Sequence, residues 1–230
     1  RVFMSGVCDF YELEYSAVED FLKQYSAKTV LVQAPDGLKP LIPCLTRRVA
    51  SVKFIVSSSP TYGSCDLALD EATVLGVDAI IHVGHNEYPY MRVKPAKPVL
   101  YIPAYYKRLP SKNSIEELVA VLKQRGFERV GLTATIQHAK ALEYVREMLE
   151  QYGFETHVGT PKHLLPGQVL GCDYTAALQI SSRVDAFIIL AGGRFHALGL
   201  GLATGKPVIQ LDPYRDSVAD YTSECAKLLR

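Results

Sequence analysis

Two tandem α/β units, each built on a mostly parallel sheet, are the fold this sequence predicts, and three observations predict it. Short β-branched runs alternate with helix-period segments along the chain, the pattern of strands covered by helices on both faces. The same spacing of 107 residues separates Cys65-Asp66 from Cys172-Asp173 and Val77-Asp78-Ala79 from Val184-Asp185-Ala186. Lys97-Pro98-Val99-Leu100 then returns as Lys206-Pro207-Val208-Ile209, each opening an apolar run that ends in proline. Anchors recurring in one order mark an internal duplication.

In chain order, Ser16-Ala17-Val18-Glu19 has the form of a capping box, and Val18, Phe21, Leu22 and Tyr25 form the apolar stripe of the helix it would open. Thr29–Val32 reads as a strand running into the turn Gln33-Ala34-Pro35-Asp36-Gly37. The apolar run KFIVSS precedes the turn Tyr62-Gly63-Ser64-Cys65-Asp66, after which a helix-like run leads to the strand Ile80–Gly84. In the second unit Ser114-Ile115-Glu116-Glu117 repeats the capping box, Leu118, Val121 and Leu122 the stripe, and Gly126 the stop. Arg129–Leu132 reads as a strand, Ala139–Tyr152 as a helix stopped by Gly153, and Phe187–Gly192 as a strand. The expected organisation is a first unit over 1–108 with Cys65, a second over 109–213 with Cys172, and over 214–230 the helix-like start (Val218–Arg230) of a third, truncated unit, the three in a pseudo-threefold arrangement. The linker falls near Tyr105–Asn113.

Lys and Arg number 25 against 24 Asp and Glu, giving a net charge of +1 with the signs interspersed, so no electrostatic footprint for nucleic acid is present. No apolar run reaches the ~18 residues of a membrane span, and the N-terminus lacks the zones of a secretory signal. The chain begins without methionine, as a trimmed chain would. Five cysteines at 8, 44, 65, 172 and 225 are scattered and odd in number, which reads as a reducing, cytoplasmic compartment, not a disulfide framework. Cys8 and Cys44 are read as structural.

Ligands of open parallel sheets sit beyond the C-terminal strand ends, where Cys65, Cys172, His85, His196 and the Asp36 turn all fall. A cysteine at a helix N-terminus has a stabilised thiolate, with Gly63 and Gly171 giving the turn its backbone freedom, and thiolate is what a soft metal or iron–sulfur cluster requires. Each cysteine alone also fits a small buried turn residue; the recurrence of Cys-Asp favours the ligand reading. One cysteine per unit would supply three ligands, the third at about position 280 by the repeat length. Cys225 stands at half the repeat spacing and is not promoted to a ligand. Gln168 and Gly167 beside Cys172, with Asp36, are the candidate cofactor-binding residues, Gln168 being equally readable as a turn residue that satisfies backbone and Asp36 being first of all a turn former; His85 and His196 are the catalytic candidates, against a plain surface role. Tyr88–Arg108 is basic and tyrosine-rich, and its prolines and strand-like runs point to edge structure or a subunit contact.

Thr61-Tyr62-Gly63-Ser64-Cys65-Asp66, His82-Val83-Gly84-His85 after Val77-Asp78, Leu165-Pro166-Gly167-Gln168-Val169-Leu170-Gly171-Cys172, and Gly205-Lys206-Pro207-Val208 together resemble the diphthamide-synthesis family, in its archaeal homodimeric form. The resemblance runs over the whole chain. It implies a non-classical radical S-adenosylmethionine enzyme of three similar domains, each giving one cysteine to a [4Fe-4S] cluster, with Cys65 and Cys172 as the first two ligands. The implied reaction cleaves S-adenosylmethionine, with an electron donor, and transfers the 3-amino-3-carboxypropyl group to C2 of a histidine on translation elongation factor 2. This chain departs from the pattern in showing no third ligand. Two other readings are a dehydratase resembling quinolinate synthase, also with a [4Fe-4S] cluster, and a non-catalytic zinc module using Cys65, Cys172 and a histidine.

Overall fold

The apolar runs become two parallel sheets. A computed structural model describes residues 5–49, 51–88, 90 and 94–229, and they group into two units, Arg1–Lys107 and Arg108–Arg230. The first unit runs α1 (Ser5–Asp9), β1 (Tyr11–Glu12), α2 (Tyr15–Gln24), β2 (Thr29–Gln33), a 3-10 helix (Asp36–Leu41), α3 (Ile42–Thr46), β3 (Lys53–Val56), α4 (Leu69–Val74), β4 (Ala79–Val83), β5 (Val99–Ile102) and β6 (Tyr105–Tyr106). Its main sheet has the order β3-β2-β4-β5, all parallel; β1 and β6 form a separate antiparallel pair.

Successive residues of a strand point to opposite faces. One face of this sheet therefore sends Val30, Val32, Ala79, Ile81 and Ile102 against α2 and α3, and the other sends Leu31 and Ile80 against Ala72 of α4 and Val77. Each fully buried Leu, Ile or Val contributes about 1.5–3 kcal/mol. Of the stripe expected on α2, Val18, Phe21 and Leu22 are buried, while Tyr25 is exposed.

The second unit runs α5 (Lys112–Gln124), β7 (Arg129–Ala134), a 3-10 helix (Ile136–Ala141), α6 (Leu142–Gln151), β8 (Glu155–His157), α7 (Thr175–Leu178), a 3-10 turn (Ser181–Arg183), β9 (Ala186–Leu190), α8 (Phe195–Thr204), β10 (Val208–Asp212), β11 (Ser217–Asp220) and α9 (Thr222–Leu228). Its sheet has the order β11-β10-β9-β7-β8, with only β11 antiparallel to its neighbour. In both units the four parallel strands thus lie in the order second, first, third, fourth. Asp78 Oδ2 accepts from Lys28 N and Thr29 N, both at 2.8 Å. Asp185 Oδ2 accepts in the same way from Glu128 N at 3.2 Å and Arg129 N at 2.9 Å. Gly126 and Gly153 stop α5 and α6 at φ +70° and +90°, backbone angles that glycine adopts without steric cost.

Several expectations are corrected. Ser16 lies inside α2, whose N-cap is Glu14 with no side-chain cap, so the first capping box does not form. The second is displaced by one turn: Ser111 caps α5 by accepting from Ser114 N at 3.2 Å. The Ser114 hydroxyl lies 2.7 Å from Asp216 Oδ1, a partner far along the chain that fixes it inside the helix. Val218–Asp220 is strand rather than helix, because it covers the open edge of β10. Cys8 and Cys44 are joined in a disulfide between α1 and α3, contrary to the reading of unpaired cysteines; their role is structural. β5 is an edge strand, as Tyr88–Arg108 suggested; residues 89 and 91–93 of that stretch lie outside the described residues. No helix among the described residues is long and apolar enough to cross a membrane.

Candidate iron–sulfur ligand sites

Cys65 and Cys172 are free and exposed, whereas Cys225 is buried in α9, where burial pushes its thiol pKa up. Neither exposed thiol heads a helix: α4 begins at Leu69 and α7 at Thr175, so each cysteine stands on a turn ahead of its helix. Neither Gly63 nor Gly171 adopts a positive φ. A Cβ on Gly171 would meet the Phe195 ring at 2.6 Å, and one on Gly63 would make ordinary contact with Cys65 Sγ at 3.6 Å. Close approach, not backbone freedom, explains Gly171.

In the first unit the cysteine turn is tied to the strand ends. Gln33, His82 and Tyr101 are register partners across β2, β4 and β5, so their side chains share one face. Two residues earlier the same face is apolar, with Leu31 opposite Ile80. The polar row crosses the gap between the first and third strands, the switch point at which doubly wound sheets bind ligands. Fully buried Gln33 donates from Nε2 to the Asp66 carbonyl at 2.7 Å, and its Oε1 accepts from Ala68 N at 2.8 Å. Tyr101 donates its hydroxyl to the Ser64 carbonyl at 3.4 Å. Burial, then the negative charges of Glu87 and Cys65, push that hydroxyl up to about 12.

His82 is fully buried, with Nε2 2.8 Å from His85 Nδ1 and Nδ1 without a hydrogen-bond partner. An orphaned buried N–H is rarer than an orphaned acceptor, so the His82 proton belongs on Nε2, donated to His85. Burial, and secondarily the charge on His85, hold the His82 imidazole down near 3. His85 itself is half-buried just past β4. Asp36 is exposed at the first residue of the 3-10 helix and pairs with Lys39 at 2.7 Å; Lys39 also holds the carbonyls of Ser58 and Ser59, each at 3.1 Å. Asp36, His85 and the Cys65 loop therefore share the C-terminal rim of this sheet.

The second unit supports Cys172 differently. Gly167 has φ +69°, and a Cβ there would press on Leu142 at 2.7 Å and the Leu132 carbonyl at 3.1 Å, so no other residue fits. Gln168 is fully buried and bridges to Ala134 at the end of β7; its Oε1 accepts from Leu165 N at 3.0 Å. Leu170 and Asp173 bridge across the cysteine itself, and Asp173 Oδ1 accepts from Thr175 N at 2.8 Å. Tyr174 lies beside the thiol; burial, then the charge on Cys172, push its hydroxyl up to about 12. His196 lies in the first turn of α8, not in the loop matching His85, and burial holds it near 4. The register row equivalent to Gln33–His82–Tyr101 is Thr133–Ile189–Gln210.

Cys65, Cys172, Gln168 and His85 were each visible as candidates in the sequence; Gln33, His82 and Tyr101 were not. Their signal is a polar side chain late in each of three apolar strands.

A family described as "Putative diphthamide synthesis protein" matches residues 34–230. The 2-(3-amino-3-carboxypropyl)histidine synthase of Pyrococcus horikoshii is 34% identical over 208 residues, which are 89% of this chain and 58% of that protein. Subunit 1 of the synthase from Dictyostelium discoideum is 31% identical over 183 residues, 76% of this chain and 38% of that protein. The crystal structure of Dph2 from P. horikoshii with a 4Fe-4S cluster superposes with a TM-score of 0.77 at 32% identity, covering 94% of this chain and 64% of that one. The chain spans somewhat over half the length of this archaeal relative. With matching motifs, fold and family profile, the chain belongs to the diphthamide-synthesis family.

Proposed function

We propose that this chain is part of a radical S-adenosylmethionine enzyme that makes 2-(3-amino-3-carboxypropyl)histidine on translation elongation factor 2, the first step of diphthamide synthesis. The observation that carries the reading is that the free, exposed thiols are Cys65 and Cys172, the cysteines of the two Cys-Asp turns. Thiolates are the donors an iron–sulfur cluster takes, so both residues fit as ligands, one from each unit. When bound, a [4Fe-4S] cluster supplies the electron that breaks the bond from sulfur to the γ-carbon of S-adenosylmethionine. The chain's own part is to hold the thiols and to line the surrounding rims. Gln168 and Gly167 shape the turn before Cys172, Asp36 lies on the Cys65 rim, and His85 and His196 are the residues this reading assigns to proton handling or substrate contact.

An internal duplication is part of this reading, supported by the shared strand order and by the matching roles of Asp78 and Asp185. A third unit with a third cysteine would complete a pseudo-threefold set. A homodimer, an external electron donor and a cytoplasmic setting accompany the proposal.

The test is anaerobic reconstitution of the full-length protein with iron and sulfide, then addition of dithionite and S-adenosylmethionine. A broad visible absorbance from the cluster, lost in Cys65→Ser and Cys172→Ser, with formation of methylthioadenosine, is the expected result. Stoichiometric zinc without that band, or a loaded protein that leaves S-adenosylmethionine intact, would sink the reading.

A further inference from the structure

We propose that Gln33 is a positioning residue for Cys65: from the buried end of β2 its single amide fixes both strands of the turn that presents the thiol. This rests on the reading of Cys65 as a cluster ligand. The 57–68 segment has little of the backbone pairing that would hold a loop in place. Its start is tied by side chains, with Ser57 Oγ donating to Glu71 Oε2 at 2.6 Å and Lys39 reaching the Ser58 and Ser59 carbonyls at 3.1 Å each.

The centre is held from below. Gln33 Nε2 donates to the Asp66 carbonyl at 2.7 Å and stands 3.5 Å from Thr61 Oγ1, while Oε1 accepts from Ala68 N at 2.8 Å. Those contacts bracket Cys65 on both sides in sequence. Gln33 is 1% exposed and Thr61 6%, whereas Tyr62 is 85% exposed and the Cys65 thiol reaches solvent. A buried amide therefore carries an exposed thiol, and within the turn Tyr62 N donates to Asp66 Oδ2 at 3.1 Å and Asp66 N to the Gly63 carbonyl at 3.0 Å. A side chain with a donor and an acceptor on one planar group serves the Asp66 carbonyl and the Ala68 N–H at once, while the same Nε2 faces Thr61 on the other side of Cys65.

In the second unit the equivalent strand position does not reach the cysteine turn. That residue, Thr133, donates from Oγ1 to the Ile188 carbonyl at 3.0 Å within the sheet, and the Cys172 turn closes through Leu170 and Asp173. Cys172 is thus a control inside the same molecule.

The experiment compares wild type, Gln33→Met and Gln33→Glu in the full-length protein by residue-resolved hydrogen exchange, then by cluster content and electron paramagnetic resonance after anaerobic reconstitution. Loss of a buried hydrogen-bond partner corresponds to about a fivefold or greater change in a local opening equilibrium. Gln33→Met should raise Ala68 amide exchange by that factor, with Tyr62 and Asp66 following and the Val30–Val32 amides of β2 unchanged. Its cluster content should fall and its resonance spectrum change. Gln33→Glu keeps an acceptor for Ala68 N but loses the N–H to the Asp66 carbonyl, so Ala68 should stay protected while Asp66 exchanges faster. Unchanged Ala68 exchange in Gln33→Met, or a loosened turn with wild-type cluster content and spectrum, would overturn the proposal. If wild type itself takes up no cluster, the cluster reading has failed on its own. Alkylation of the apo protein by iodoacetamide then decides: a shifted Cys65-to-Cys172 rate ratio in Gln33→Met supports the clamp, and an unchanged ratio overturns it.

Discussion

Acidification from pH 8 to pH 5 should cost the first unit about 2 kcal/mol through His82 alone. In the folded chain burial and the neighbouring His85 hold its imidazole near 3, against an ordinary value of 6.5. Because the folded value lies below the unfolded one, His82 contributes fully above pH 6.5 and progressively less as the pH falls toward 3. At pH 5 nearly every unfolded chain carries the proton and almost no folded chain does. The difference is about 2 kcal/mol at pH 5 and approaches about 5 kcal/mol near pH 3. Its structural origin is specific: a second proton would have to sit on Nδ1, which has no acceptor. Urea unfolding followed by hydrogen exchange in β2 and β4 should show the midpoint dropping by about 1–2 M between the two pH values. In His82→Gln the loss of stability between pH 8 and pH 5 should shrink by about 2 kcal/mol, while the second unit keeps the acid sensitivity of His138 and His196, both held near 4 by burial. An unchanged pH 8-to-5 difference for the first unit in His82→Gln would refute the reasoning.

Three further outcomes can be checked in the same unfolding assay. Reducing the Cys8–Cys44 disulfide, which closes a separation of 36 residues, should destabilise the first unit by about 3–4 kcal/mol and leave the second unmoved. Gly159→Ala would drive a Cβ into the Ala176 carbonyl of α7; backbone cannot yield as a side chain does, so about 3 kcal/mol should be lost, with faster amide exchange at the Cys172 turn. Asp185, whose carboxyl the Arg129 side chain and the Arg129 and Glu128 amides hold near 2, contributes above its unfolded value of 3.8 and loses that contribution as the pH falls toward 2. Its carboxylate is partly exposed, so Asp185→Asn should cost only about 1 kcal/mol at pH 7, and less in high salt.

The strands were legible because each is a short β-branched run between turn residues, and burial on both faces removes any need for alternation. The cysteine turns were legible because two sequence-distant copies of Cys-Asp stand at matched spacing. Helix starts were less so: Ser114 heads a capping-box pattern, yet Ser111 is the cap, and Asp216, remote in sequence, holds Ser114 inside the helix. The Cys8–Cys44 disulfide escaped for the same reason, since composition argues about compartments and α1 meets α3 only in the fold. Gln33, His82 and Tyr101 escaped because each sits in an otherwise apolar strand, and a single polar residue there has no partner until the register places three side by side.

That register also separates two turns which look alike in sequence. Beneath Cys65 the strand ends supply an amide, an imidazole and a phenol, two of them bonded directly to the loop backbone. The equivalent row in the second unit is a hydroxyl turned into its own sheet, an isoleucine, and a glutamine that donates to the carbonyls of Ala191 and Gly193. The Cys172 turn closes on itself, through the backbone bridges Ala134–Gln168 and Leu170–Asp173 and through Gln168 and Asp173 side chains that bond backbone N–H groups of the same turn. Side-chain support from the strands below can be altered one contact at a time, whereas a turn closed on itself is lost as a whole. Conservative substitutions beneath Cys65 should therefore grade cluster content in steps, and those around Cys172 should abolish it or leave it alone. A graded series at Gly167 or Asp173, with the fold intact by hydrogen exchange, would show that this division is wrong.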